Sequence, residues 1–534
     1  MRFQKKCVFL PFDILGLSAN FFGNGNKQTK NGFPKKQNET KNNKYFYNSM
    51  EKSITRRTFI RNAVFGTGLL IYGKPSVFAH KNGSEYRIDF QTFDERVSIA
   101  ADNPSIQFYD NRCMLCGDCA EFCRTKMTVY KQVAAVPDEE VCIRCGQCTI
   151  VCPEHALTEK YHYQAVAEAI ADPDKITVAS IAPAVRVALG EMYGLTPGTN
   201  VEGQIVGALK QAGIDYVLDA TVSADLIVME EATELMQRLE AKDSKRPLPM
   251  FTSCCPAWVR FVQLFYPALM PHLSTAKSPA MAQGALVKTY FARKMDIDPE
   301  KIVHIALMPC TAKKAEILWD EMNAAGISHG KPTMRDVDIA LTCREIASLL
   351  KSQNVDFLQA QDAPYSSLMG SGSGAGIIFG NTGGVMEATL RTAYKLLNGE
   401  NSYIEFLDLQ TVRGSDNLRQ ANVELGKHKL NVAVVNGVAN VRPLIEEIQN
   451  GVHKFDFVEV MACPGGCIGG GGQPITRNIN ATELKQLRIN ALYQKDATHT
   501  IRLSCDNPEI KAIYDDFLGQ PLGTKSVELL HRER

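Results

Sequence analysis

Ile302-Val303-His304-Ile305-Ala306-Leu307-Met308-Pro309-Cys310 decides the architecture of this chain. Seven mostly apolar residues run without a formal charge and stop at proline. A short apolar run of this kind reads as a buried strand. The same signature recurs at Ile176-Thr177-Val178-Ala179-Ser180-Ile181, at Tyr216-Val217-Leu218, from Asn431 to Val435 and from Phe457 to Met461. Amphipathic stretches lie between these runs; Glu202 to Ala212 reads as a helix. The alternation predicts an α/β domain with buried sheets flanked by helices. Reactive residues in such folds sit at strand ends, and Cys310 and Cys463 each follow closely on a predicted strand. His304 lies inside an apolar run and reads as a core histidine, because no second ligand-type residue stands at metal spacing beside it.

Cys310 belongs to a wider pattern. Thirteen of the sixteen cysteines fall into five groups. Cys113, Cys116, Cys119 and Cys123 form one C-x-x-C-x-x-C-x-x-x-C run, and Cys142, Cys145, Cys148 and Cys152 form another. The two runs suggest an internal duplication. Zinc modules usually pair two C-x-x-C units; three close cysteines plus a fourth suit [4Fe–4S] clusters. In two-cluster ferredoxins the fourth cysteine of each run ligates the other cluster. Carried over, Cys113, Cys116, Cys119 and Cys152 hold one cluster, and Cys142, Cys145, Cys148 and Cys123 hold the second. Pro153 follows Cys152 as that pattern expects, but Arg124 follows Cys123. Residues 106–160 are therefore expected to form an α+β ferredoxin-like module that transfers electrons. Cys7, Cys343 and Cys505 are scattered and suggest no disulfide framework.

A chain of 534 residues is long enough for two or three domains. Its net charge of +1 hides an asymmetry: residues 1–80 carry +11, which leaves the body at −10. An acidic body argues against nucleic acid and for cationic partners. Residues 1–49 read as a disordered extension, or as upstream codons before a start at Met50, with an organelle transit peptide as the alternative. Residues 50–79 read as a leader: Arg56-Arg57, an apolar stretch from Ala63 to Gly73, and Val77-Phe78-Ala79 as a cleavage site. The twin-arginine route carries folded proteins, which suits metal inserted before export and predicts a periplasmic location. Residues 80–105 read as a linker. No segment offers enough uninterrupted apolar residues to span a membrane in the mature protein.

Three further motifs carry the remaining grouped cysteines: T-S-C-C-P-A-W at 252–258, M-P-C-T-A-K-K-A-E at 308–316 and E-V-M-A-C-P-G-G-C-I-G-G-G-G-Q at 459–473. In this order, after two cluster runs, they resemble the signature motifs of the [FeFe]-hydrogenases. The resemblance covers residues 106 to 534. It implies an H-cluster, a [4Fe–4S] cubane joined to a two-iron unit with CO, cyanide and a dithiolate bridge, in a catalytic domain over 161–480. It implies that Cys255, Cys310, Cys463 and Cys467 ligate the cubane, with Cys467 bridging to the iron pair. One helical turn between Cys463 and Cys467 would point both the same way. The glycines around them let backbone approach a bulky group. Lys313 resembles the lysine that hydrogen-bonds a cyanide, and Met308, Phe379 and Met461 match the apolar wall. Ala184 and Ala280 stand where some members carry polar residues.

The same resemblance implies a proton relay through Arg238, Glu234, Ser274, Glu231 and Cys254. It further implies reversible oxidation of H2 to protons and electrons, a separate electron carrier (cytochrome c-like or ferredoxin), the export machinery and hydrogenase maturation proteins. Residues 481–534 resemble the small subunit of two-chain members, here fused. Two other readings compete: an iron–sulfur assembly factor or sensor on the same fold, and a nucleotide-dependent oxidoreductase suggested by G-S-G-S-G-A-G at 370–376. Intact motifs argue against the first, and a lone glycine run is weak support for the second.

Overall fold

The computed structural model describes residues 76–81, 84–89 and 95–532, apart from 137–138, 242–244, 400–408, 415 and 453. The chain divides into two compact units, one up to Phe90 and one from Gln91. In the first, β1 (Ser76–Lys81) pairs antiparallel with β2 (Ser84–Asp89). The twin arginines and the apolar stretch of the expected leader lie outside the described residues, as does Cys7.

The second unit begins with the cysteine-rich module. β3 (Ile106–Phe108) and β4 (Leu157–Glu159) pair antiparallel and clasp both cysteine runs between them. The duplication is visible in the backbone. Leu115 and Arg144 both have positive φ, and so do Gly117 and Gly146, each of which opens a short helix, Asp118–Phe122 or Gln147–Val151. The halves part where their sequences do. Pro153 forbids helical backbone before it, and Cys152 turns extended (ψ 114°). Arg124 imposes no such limit, so Cys123 stays helical (ψ −37°) and the chain winds on to Met127.

Two four-stranded sheets follow. β5 (Ile176–Ile181), β6 (Tyr216–Asp219), β8 (Ile302–Met308) and β9 (Ile339–Thr342) form a parallel sheet in the order β6-β5-β8-β9. The second sheet has the order β10-β11-β12-β7, built from β7 (Met250–Phe251), β10 (Leu418–Leu425), β11 (His428–Asn436) and β12 (Phe457–Met461). Here β10 and β11 are antiparallel and the other pairs parallel. The central strands are buried on both faces, as their uninterrupted apolar runs require. His304 is fully buried in β8, with Nε2 2.9 Å from Ser180 Oγ, and burial lowers its pKa to about 3. It is a core histidine. The 22-residue helix Ala220–Ala241 is buried along most of its length and packs on the helices Pro279–Leu286 and Gly384–Asn398. Among the described residues, no helix is long and apolar enough to cross a membrane.

Both sheets send their carboxyl ends toward one region. Pro183 follows β5, Cys254 and Cys255 follow β7, Cys310 follows β8 and Cys463 follows β12.

Candidate active site

The eight cysteines of the module separate into two sets. Cys113, Cys116, Cys119 and Cys152 line one cavity. Cys123, Cys142, Cys145 and Cys148 line a second. Each set thus takes its fourth cysteine from the other run. Among the described residues no cysteine is bridged in a disulfide. The first cavity reaches the surface, where Met114 and Leu115 are exposed. The second abuts the catalytic body. Gln147 Nε2 donates to the Gly469 carbonyl (2.7 Å) and its side chain also faces Cys463. Thr311 Oγ1 donates to the Arg144 carbonyl (2.8 Å).

Beyond that contact lies an apolar cavity lined by Cys254, Cys310, Cys467, Lys313, Met308 and Phe379. Ala182, Ala184, Ala220, Ala224 and Ala280 line it too, and their short side chains keep it open. Met461 is not among the lining residues; it packs in the buried cluster that holds Cys254 and Phe379. Burial pushes the thiols of Cys310, Cys463 and Cys467 up, and Cys255 faces all three and pushes them further. Four soft donors so placed oppose one another's ionisation until a cation joins them, which is the donor set that an iron–sulfur cluster takes. The residues present fit the group.

The chain between Cys463 and Cys467 is not the helical turn expected from their spacing. Gly465 and Gly466 both have positive φ (94° and 85°), and a short helix begins only at Cys467. Two of the glycines also let backbone meet backbone. A Cβ on Gly470 would stand 2.3 Å from the Pro309 carbonyl oxygen, and one on Gly471 would stand 2.0 Å from that of Cys145. They bring this loop against other backbone.

Lys313 is nearly buried, with Nζ donating to Glu316 Oε2 (2.6 Å) and to the Cys254 carbonyl (3.3 Å). Arg238, Glu234, Ser274 and Glu231 are all buried. Arg238 donates to Glu234 Oε1 through Nε (3.1 Å) and Nη2 (2.6 Å), and Ser274 Oγ donates to Oε2 (3.1 Å). Glu231 follows on the same helix face. The Ser274 hydroxyl and Ser253 amide face it, but neither carboxylate oxygen makes a full hydrogen bond. Burial, then the charge of Glu234, push its pKa up to about 8. Burial and Glu231 in turn raise Cys254, whose thiol lines the cavity.

Residues 175–471 match the family described as iron only hydrogenase large subunit, C-terminal domain. The chain belongs to the iron-only, or [FeFe], hydrogenase family. It is an oxidoreductase that interconverts H2 with protons and electrons at an H-cluster, fed by [4Fe–4S] clusters. Residues 96–157 match a 4Fe-4S dicluster domain, and residues 482–533 match the iron hydrogenase small subunit. The chain is 42% identical to an NADP-reducing hydrogenase subunit of Solidesulfovibrio fructosivorans, over 79% of its own length and 73% of that protein's. It is 39% identical to the periplasmic [Fe] hydrogenase large subunit of Nitratidesulfovibrio vulgaris, over 69% and 86%. The solved apo structure of an [FeFe]-hydrogenase from Chlamydomonas reinhardtii superposes with a TM-score of 0.62 at 38% identity, covering 70% of this chain and 98% of that one.

Several residues of this hydrogenase escaped the reading of the sequence. Thr275 donates to Glu234 through its amide (3.0 Å) and hydroxyl (3.1 Å). Glu459 is buried beside the site, accepting from the amides of Gly383 (2.6 Å) and Met386 (2.7 Å), and burial lifts its pKa to about 7. Arg344 ties Glu159 of β4 to the Gly471 and Gln473 carbonyls. The only sequence signal for Glu459 was its place in the third motif; Thr275 and Arg344 carried none.

Proposed function

We propose that the cavity between the two sheets is where this chain turns over H2, with electrons entering through the cysteine-rich module and protons through the Ala220–Ala241 helix. The observation that carries this reading is the buried file from Arg238 to Cys254, which ends on the cavity wall. When bound, the H-cluster supplies the iron at which H2 and protons plus electrons interconvert. Cys255, Cys310, Cys463 and Cys467 would hold it, with Cys467 the residue assigned to the two-iron unit. Lys313 keeps a compact cation at the wall, suited to an anionic ligand. Met308 and Phe379 exclude water, with Met461 behind them.

Cys254 Sγ exchanges a proton with the cavity and with Glu231. A carboxyl near pKa 8 changes hands readily at neutral pH. Ser274 passes the proton on to Glu234, and Arg238 holds that carboxylate in place. Cys123, Cys142, Cys145 and Cys148 hold the cluster nearer the cavity. Cys113, Cys116, Cys119 and Cys152 hold the outer one, beside exposed Met114 and Leu115, where a separate carrier would take or give electrons. Residues 106–160, 161–480 and 481–534 are the electron, catalytic and small-subunit-like parts. Export through the twin-arginine route to the periplasm, after assembly by maturation proteins, fits the leader pattern at 50–79, and a periplasmic relative supports it.

The test is Cys467→Ser in the matured enzyme. We expect cubane iron to remain, the infrared bands of bound CO and cyanide to vanish, and H2 turnover to vanish with them. Full activity in that variant would sink the assignment.

A further inference from the structure

Glu230 stands one residue before the relay and takes no part in it. It is fully buried, and its donors all come from the C-terminal segment. The Tyr514 hydroxyl lies 2.5 Å from Oε1, the Ser526 hydroxyl also reaches Oε1, and the Leu522 amide lies 2.8 Å from Oε2. The fourth partner is His531, with Nε2 3.0 Å from Oε2. Glu230 accepts in each of its other three hydrogen bonds, and Nε2 is accordingly read as an N–H of the ring.

The other ring nitrogen decides the matter. His531 Nδ1 lies 2.8 Å from Thr275 Oγ1, and that same Oγ1 lies 3.1 Å from Glu234 Oε2. A hydroxyl has one proton to donate. With a neutral ring, Nδ1 is an acceptor and draws the Thr275 proton, and Glu234 loses that donor. With a protonated ring, Nδ1–H donates to Oγ1, and the Thr275 proton turns to Glu234. A carboxylate that gains a donor holds its own proton less tightly.

We propose that His531, acting through the Thr275 hydroxyl, is a proton-operated positioning residue for Glu234. The inference rests on the reading of Glu234 as a relay group. The proton comes from water at the edge of His531, whose side chain keeps 4% exposure, and returns there. The bonds around the switch change; no atom is transferred to the relay. The charged and titratable groups bonded into this network are Glu230, Glu234 and Arg238 from the Ala220–Ala241 helix and Tyr514 through Glu230, while the next residue, Arg532, turns its guanidinium to the Ser253 carbonyl and the Trp319 ring. Arg238 stays on Glu234 in both states, so the switch adjusts one donor among several. In this chain the segment that resembles a small subunit is covalently attached, which makes the switch part of every molecule.

The experiment is infrared difference spectroscopy of the matured enzyme across a pH series, with the Glu234 carboxyl band assigned by its loss in Glu234→Gln. In the parent, that band should shift as His531 titrates. In His531→Gln, whose amide still donates to Glu230 but does not titrate, the shift should disappear. The pH profile of H2 oxidation should lose one ionisation, with turnover at the optimum reduced no more than about fivefold, the worth of one hydrogen bond. Thr275→Val should also abolish the shift while nitrogen NMR still shows His531 titrating. A Glu234 band that moves equally in parent and both variants overturns the proposal, and so does a His531→Gln pH profile that overlays the parent. If Glu234→Gln turns over H2 at the parental rate, it is the relay reading that fails. The band in His531→Gln still decides the switch.

Discussion

On the side of the cysteine-rich module, the cavity is approached by backbone. A Cβ on Gly146 would meet Thr311 Oγ1 at 2.3 Å, and one on Gly471 would meet the Cys145 carbonyl at 2.0 Å. On the side of the Ala220–Ala241 helix it is approached by side chains, a file of buried carboxylates, a serine and a thiol. The difference fits what each side is proposed to carry. Electrons tunnel, so closed cysteine shells need only stand near one another, and tight backbone packing brings them near. Protons pass between neighbouring groups, so the file must keep its order, bonded from Arg238 through Glu234 to Ser274 and facing one another at Glu231 and Cys254. One side is specified by proximity, the other by continuity.

Continuity is the easier to break. Cys254→Ala removes the last group of the file without removing any of the four facing thiols. We expect H2 turnover in both directions to fall by about 10² to 10⁴, with iron content and the CO and cyanide bands retained. A variant near the parental rate would show that protons enter elsewhere. Proximity breaks differently. Gly471→Ala forces the third-motif loop away from Cys145, and overpacking of this kind costs about 1–3 kcal/mol. Carrier-linked turnover should drop severalfold, while exchange of H2 with deuterated water, which needs no outside electrons, persists. Cys254→Ala should lose that exchange. If the two variants respond alike, the division into an electron side and a proton side is wrong.

The two sides also differed in how far the sequence disclosed them. β5, β8 and β12 coincide with the apolar runs at 176–181, 302–308 and 457–461, because a strand buried on both faces leaves no room for polar alternation. The electron side was legible because its chemistry needs cysteines at fixed local spacing. The proposed proton side could be named only by resemblance. Glu231 and Glu234 share a helix face, but Ser274 is 40 residues from Glu234, and His531 is 256 residues from Thr275. No periodicity records such a meeting. β7 was missed because two residues, Met250 and Phe251, are too few to show a pattern. The helical turn expected at Cys463–Cys467 failed because spacing alone does not register two glycines at positive φ.

A smaller effect sharpens the electron side. Arg344 grips Glu159 with two nitrogens (2.6 and 2.8 Å) while also holding the Gly471 carbonyl at 2.9 Å. Lysine cannot reproduce that fork. Arg344→Lys should lower stability by about 1–3 kcal/mol, seen as a lower denaturation midpoint, and leave hydrogen–deuterium exchange nearly intact.

The mildest test uses two carboxylates whose pKa values move in opposite directions. Burial pushes Glu159 up, but Arg344 overrides it and holds the group below its usual 4.5. The folded state therefore releases this proton more readily than the unfolded one. The stabilisation is present above pH 4.5 and is lost as pH falls through the folded value. Glu231 is the reverse: burial and Glu234 raise it to about 8. Between pH 4.5 and 8 the folded chain keeps a proton that the unfolded chain has given up, so stability declines as pH rises through that window. Glu159→Gln should flatten the acid limb of the stability profile, and Glu231→Gln the decline between pH 4.5 and 8. The measurement is the difference in denaturation midpoint between each variant and its parent across pH. The sign follows from the neighbour each carboxylate was given. On the electron side an arginine fixes the charge so that the module stays docked. On the proposed proton side burial, with a second carboxylate beside it, keeps the charge from settling, which suits a group proposed to take up and release protons.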